Sequence, residues 1–297
     1  MKIAVALPQH VGPVHWSALI AESENFYRDE GLDVELRWMD QDDQTKSLLS
    51  GATPVERRGP DEDIALIEAG HPIRIIAGLV RKPSAYLYGA RGVTSLEHLR
   101  GTTLGAVSLR FGSSLGLRML LADAGLNEGD YTLQMVGGTQ KRFEALLDGR
   151  VSAALLTPPT SARAAQLGLP LLASLPQRYP HFVFSSMQAN LEFARAQPAA
   201  IVALLRAEIR AQRFLADPAN RGAAIATLAG PGTVTPEDAA LCYAEMVEQD
   251  DVFYHDAAIK PEDLATLIDG LRRLGDSECR QGASRYLDLT WLQLASA

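Results

Sequence analysis

From Ile3 to Gly168 short apolar runs alternate with longer stripes of helical period, and this alternation constrains the chain more than anything else in it. Ile3–Leu7 is a compact apolar run closed by Pro8, the pattern of a buried strand. Across His15–Tyr27 the residues Trp16, Leu19, Ile20 and Phe26 recur at helical spacing, and Gly31 follows as a C-terminal stop. Strand-like Leu32–Trp38, the short helix Gln44–Leu49, the strand Val55–Arg58, the helix Asp61–Ala69 and the strand Ile73–Leu79 continue the series. The plan then repeats, with strands at Thr103–Val107, Thr132–Val136 and Val151–Leu156 and helices at Ser95–Leu99, Ser113–Ala124, Gln140–Leu147 and Ser161–Leu167. Strands and helices alternating at this pitch predict an α/β chain with mainly parallel sheets flanked by helices. Beyond residue 190 the pattern is helical throughout, over Leu191–Leu215, Ala219–Leu228, Pro236–Val247 and Pro261–Leu274, with breaks at Asp217-Pro218 and Gly230-Pro231.

Composition narrows the function classes. The chain has 297 residues, of which 47% are apolar and 22% charged, a soluble globular balance. A net charge of -8 with scattered Lys and Arg lacks the concentrated basic face that nucleic acid requires, so a bound anion must be held by a local cluster. No apolar run approaches the roughly 20 residues of a membrane span, so no membrane insertion is expected. The N-terminal run is too short for a secretory signal, so the chain as written reads as cytoplasmic, or as periplasmic if a leader has been removed. Cys242 and Cys279 lack metal-ligand spacing and read as idle thiols. With no dinucleotide fingerprint, phosphate loop or zinc motif, neither a cofactor nor a metal is expected.

One stretch carries a specific resemblance. Ser95-Leu96-Glu97-His98-Leu99-Arg100-Gly101 leads into a strand, then Phe111-Gly112-Ser113-Ser114 and a helix, then Ala124-Gly125-Leu126. Gly137-Gly138 follows, and then the run from Arg142 to Ala154 ending in Thr157-Pro158-Pro159. With Glu30-Gly31-Leu32-Asp33-Val34 and Ala194-Arg195-Ala196-Gln197-Pro198, this order resembles the type 2 periplasmic (ABC-transporter) solute-binding proteins, in particular the nitrate, sulfonate, taurine and thiamine-precursor group. The resemblance implies two lobes, 1–88 plus 179–297 with a helical tail on lobe one, and 89–178. The crossings fall near Tyr86–Gly89 and Leu175–Val183, and ligand sits between the lobes.

Ligands of parallel sheets sit beyond the carboxyl ends of strands, which nominates five loops. Gln9 and His10 follow the first strand. Arg57 and Arg58 end the third, where alternation sends neighbouring side chains to opposite faces. One arginine is expected to meet an anion while the other pairs with Glu56, Asp61 or Asp63; an internal salt bridge is the competing reading. Ser113 and Ser114 begin a helix whose free amides favour an anion, with Arg110 beside them. Gly138 and Thr139 follow another strand, and Thr157 follows the strand Val151–Leu156; His181, on the return to lobe one, is a further candidate. Tyr86, Tyr88 or Trp16 would contact the apolar part of a ligand, although Trp16 reads equally as core. The acidic run Glu248–Asp251 reads as a solvated face.

These residues support two functions. The first is a solute-binding component of an ABC-type uptake system that closes on a small carboxylate, sulfonate or heteroaromatic molecule, with an ABC permease as partner. The second is a cytoplasmic, cofactor-free decarboxylase or lyase acting on an aromatic acid, with His10 as the catalytic acid/base. Arg57-Arg58-Gly59-Pro60 is similar to the Arg-x-Gly-Gly signature of aromatic desulfinases, but no Cys stands in the first strand-to-helix loop. A ligand-sensing domain for a cytoplasmic partner is a third.

Overall fold

The structure is a computed structural model that describes residues 1–8, 12–109, 112–230, 232 and 234–297. Among the described residues, ten strands form two five-stranded sheets. In the first, β1 (Lys2–Pro8), β2 (Asp33–Met39), β3 (Val55–Arg58), β4 (Ile73–Val80) and β10 (Ser185–Asn190) lie in the order β2-β1-β3-β10-β4. In the second, β5 (Tyr86–Gly89), β6 (Thr103–Ala106), β7 (Thr132–Met135), β8 (Ala153–Leu156) and β9 (Leu171–Ser174) lie in the order β7-β6-β8-β5-β9. In each sheet the antiparallel strand, β10 or β5, is the one that arrives from the other sheet. The chain therefore crosses at residues 81–85 and returns after β9. Tyr86–Gly89 belongs wholly to the second sheet, so the first crossing precedes the expected position.

Local chemistry explains most boundaries. The helix Trp16–Ser23 stops where Asn25 takes a left-handed conformation (φ 60), splitting the single expected helix from Phe26–Asp29. Ser95–Leu99 shrinks to a 3-10 turn at Glu97–Leu99. The long tail helix Pro198–Ala216 starts at proline after Gln197 and buries one full face. Ala244–Gln249 winds as a π-helical turn, a wider coil that often marks a functional segment. No described helix is long and apolar enough to cross a membrane.

Three apolar clusters of described residues hold the fold together. One joins β1 and β4 to the helix Trp16–Ser23 and the tail; Trp16 is fully buried in it and donates Nε1 to the carbonyl of Ala224 at 2.7 Å. Trp16 is thus core and no ligand wall. A second cluster runs continuously from Ile73 and Ile75 of β4, through Leu87 and Leu104, to the helices Ser113–Asp123 and Ala265–Arg273. It belongs to both lobes. The third lies under the helices Thr139–Leu147 and Thr160–Gln166, with Tyr86, Phe143 and Leu156.

The tail packs on lobe one along β4: Gly78 N donates to Ala257 O at 2.9 Å, and Gln212 Nε2 to Gly78 O at 2.9 Å. A Cβ at Gly78 would overlap the ring of Tyr254, whose hydroxyl donates to Asp263 at 3.0 Å. Gly78→Ala is therefore expected to destabilise the fold by about 1–3 kcal/mol through overpacking, read as a lower urea midpoint at unchanged m value.

Candidate functional site between the two sheets

The carboxyl ends of the parallel strands carry the loops nominated from sequence. At β3 the alternation predicted for the two arginines holds. Arg57 points to one face, fully buried, where Nη1 donates to Glu208 Oε2 at 2.5 Å and Nη2 to Ser17 Oγ at 2.7 Å. Arg58 points to the other face and donates to Asp63 at 2.6 and 3.2 Å, to Glu62 at 3.1 Å and to Thr45 at 2.8 Å, with Glu56 at 2.9 Å. The expectation that one of these guanidinium groups grips a ligand anion is corrected: both are committed to internal carboxylates, because burial demands a fixed counter-charge. Glu56 is buried beside Asp63, and its carboxyl is pushed well above the usual range by desolvation first and the Asp63 charge second.

Asp61, one turn further on, faces the other lobe. It is buried, and its Oδ2 accepts the N–H of Gly112 at 2.6 Å, a direct bond between the lobes. Gly112 adopts φ 64, ψ -138, a backbone region that an L side chain resists, and this turns its N–H outward toward Asp61. Gly59 must be small as well, since a Cβ there would come within 2.7 Å of Asp61 Oδ1. Burial raises the Asp61 carboxyl to about 6 against the lowering effect of the Gly112 amide. Ser113 and Ser114 are both buried in the first turn of the helix, whose N-cap is Gly112, and neither side chain caps it. Ser114 Oγ accepts from Ser108 N at 3.5 Å.

Gly138, Thr139 and Thr157 do come together. Thr157 N donates to Thr139 Oγ1 at 3.1 Å, and Thr160 Oγ1 donates to Thr157 O at 2.8 Å. Since that uses the single proton of Thr160, the 2.7 Å contact between Thr139 and Thr160 must have Thr139 as donor. This hydroxyl chain ties together the starts of two helices, Thr139–Leu147 and Thr160–Gln166. His181 is exposed in the turn before β10. Gln9, His10 and Arg110 lie outside the described residues.

Sequence reasoning missed a third flank, supplied by the tail. Ser161 Oγ donates to the carboxylate of Glu245 at 2.9 and 3.0 Å, and Arg163 Nη2 to Asp238 at 2.5 and 2.7 Å. The Tyr86 hydroxyl donates to Asp250 and Arg81 pairs with Asp251. The run Glu248–Asp251 is therefore only partly a solvated face: Asp250 and Asp251 anchor β5 and the crossing. Desolvation first, then the charge of Asp250, raises Glu245 to about 7 despite the hydrogen bond from Ser161 and the nearby Tyr86 hydroxyl. Arg142, which sequence reasoning did not single out, is buried at 4% exposure in the first turns of the Thr139 helix. The signal was present, since a basic residue there interrupts an apolar helix face.

Comparisons with known proteins agree with this architecture. The family model described as NMT1/THI5 like matches residues 12–220. Over 158 residues, 52% of this chain and 45% of the relative, the chain is 28% identical to 4-amino-5-hydroxymethyl-2-methylpyrimidine phosphate synthase of Uromyces fabae, so it spans less than half of that protein's length. A solved structure from Bordetella bronchiseptica RB50 superimposes with a TM-score of 0.83 over 99% of this chain and 96% of the other at 19% identity. The alkanesulfonate-binding protein SsuA from Xanthomonas axonopodis pv. citri, bound to MOPS, superimposes with a TM-score of 0.75 over 97% and 98% of the chains at 15% identity.

Proposed function

Because the chain belongs to the NMT1/THI5-like family and has the two-lobed periplasmic-binding-protein fold, we propose that it binds a small, anionic organic molecule between its lobes as the solute-binding component of an ABC-type uptake system. The observation that carries the reading is the contact of Asp61 with Gly112 at 2.6 Å. It brings a strand-end loop of one sheet against a helix start of the other, and such crevices are where open α/β sheets bind ligands. The hydroxyls of Thr139 and Thr160, bonded to the backbone of Thr157, add polar groups fixed in position before a ligand arrives, which lowers the ordering cost of binding. Likeness to the sulfonate-binding protein supports a transported solute, and a permease is the partner that function implies.

Native mass spectrometry of the freshly purified chain is expected to show one co-purified small molecule. Adding that molecule back to stripped protein at a hundredfold excess over its dissociation constant should stabilise the fold by about 2.7 kcal/mol. The molecule should return chemically unchanged. Turnover of the recovered molecule would favour the lyase reading instead. An empty protein that small sulfonates, carboxylates and pyrimidines all fail to stabilise would end the binding proposal.

A further inference from the structure

We propose that Arg142 is the anion-recognition residue of this cleft. Its guanidinium, together with the open amide end of the Thr139–Leu147 helix, would hold the carboxylate or sulfonate group of the bound molecule. The inference rests on the reading that the cleft takes a small molecule, and it names the residue that selects the ligand's charge.

The argument begins with the buried arginines. Arg57, Arg58, Arg118 and Arg142 are the arginines buried among the described residues. Arg57 has Glu208, Arg58 has Asp63, and Arg118 has Asp276 at 2.5 Å. Arg142 has no ion pair or side-chain hydrogen bond among the described residues, and its Nε is orphaned. A guanidinium has five donors and cannot shed its charge at neutral pH. Burial alone lowers its pKa, to about 10, which still leaves it a cation at neutral pH. An unpaired buried cation is costly to keep. The rest of this protein solves that problem with a carboxylate each time; here the counter-charge is missing.

Placement says where it would come from. Arg142 is the fourth residue of a helix that starts at Gly138-Thr139, with no side chain capping its first amides. Side chains of a helix lean toward its N-terminus, which here opens on the carboxyl edge of β6 and β8 and on the threonine hydroxyl chain. The stem of Arg142 crosses the sheet over Gly105, where a Cβ would stand 3.6 Å from Arg142 Cγ and 3.6 Å from the Cβ of Ala154. Two small residues side by side in β6 and β8 leave the channel that the side chain occupies. Val107, two residues beyond Gly105, is 41% exposed and offers an apolar lip for the organic part of the ligand. A planar fork and free helix amides together match an oxyanion with two or three equivalent oxygens.

The test uses ligand-stripped, full-length protein and follows thermal unfolding against concentration of sulfate, methanesulfonate, benzenesulfonate and benzoate, with benzamide and benzenesulfonamide as neutral counterparts. Wild type is expected to show a saturable rise with at least one anion and a weaker one with its neutral counterpart. Arg142→Met should bind that anion roughly 10–100-fold more weakly, the range for losing a charged hydrogen-bond partner. Without ligand it should be at least as stable as wild type, because an unpaired cation is replaced by an apolar chain. Arg142→Lys, which keeps the charge but not the fork, should fall between the two. The proposal is overturned if Arg142→Met binds the anion as tightly as wild type, or if it is destabilised without ligand, which would make the arginine structural. It is also overturned if wild type responds to none of the anions. In that last case, a saturable response to a neutral compound would leave the cleft reading standing while rejecting Arg142.

Discussion

Replacing Arg57 with methionine is expected to lower folding stability by about 3–5 kcal/mol, the usual cost of stranding one member of a buried ion pair. Glu208 would be left in a fully buried position with only Gln212 Nε2, at 3.0 Å, still donating to it. His15 offers no rescue: burial, reinforced by the Arg57 charge, lowers its pKa to about 3, so it is a neutral imidazole, packed edge-on against Trp38 at 5.6 Å. A second substitution, Glu208→Leu, should restore most of the loss, since an apolar pair of similar volume is often neutral or stabilising relative to a buried ion pair. Urea unfolding of the two single variants and the double variant measures this coupling. Ligand affinity of whatever fraction remains folded should be unchanged, because Arg57 packs against the tail and Ser17 and not toward the second sheet. An Arg57→Met protein that kept its stability but lost its ligand would reverse the assignment.

Stability should fall as pH rises from about 4.5 to about 7, the interval between the ordinary value of a glutamate and that of Glu245 in the fold. The sign follows from linkage. A carboxyl whose pKa is raised by folding holds its proton in the folded state after the unfolded state has released it, so increasing pH favours unfolding across that window. Below about 4.5 both states are protonated and there is no penalty; above about 7 both are ionised and the penalty is complete. Glu245 alone contributes up to about 3 kcal/mol, since each tenfold weakening of an acid on folding is worth ~1.4 kcal/mol. Asp61 adds a second, lower window, from 3.8 to about 6. Glu245→Gln is expected to flatten the upper part of the profile and to be more stable than wild type at alkaline pH, checked by chemical denaturation at a series of pH values. A Glu245→Gln profile parallel to wild type would show that this carboxyl ionises freely in the fold.

The architecture was readable because its signals are local. Compact apolar runs such as Ile3–Leu7 and Ile73–Leu79, each followed by a helical stripe and a glycine stop, specify parallel βα units without tertiary information. The edge strand Leu171–Ser174 escaped, since four residues after Gly168-Leu169-Pro170 carry no period of their own. Sequence alternation correctly put Arg57 and Arg58 on opposite faces, yet it could not find Glu208, a partner 151 positions away on a helix. That contact decides whether an arginine is a ligand residue or a structural one. The same distance hid Glu245, whose environment is created by Ser161 and Tyr86 from the other lobe. Arg142 stands at the opposite extreme, because its distinguishing property is the lack of an ionic partner among the described residues.

The tail touches both lobes through contacts of two different kinds. On one side the helix Ala265–Arg273 sits tightly on Ser113–Asp123, where Gly270 leaves no space for a Cβ beside Met119, and this contact is part of the apolar cluster that runs from β4 to β6. On the other side the tail meets Thr160–Gln166 through Ser161 with Glu245 and Arg163 with Asp238, polar contacts that water can replace. A separation of the lobes that swung about the greasy side would expose little oil and would part the charged rim. Such a rim would make the rate of ligand entry sensitive to salt and acidity while leaving the pivot indifferent to both.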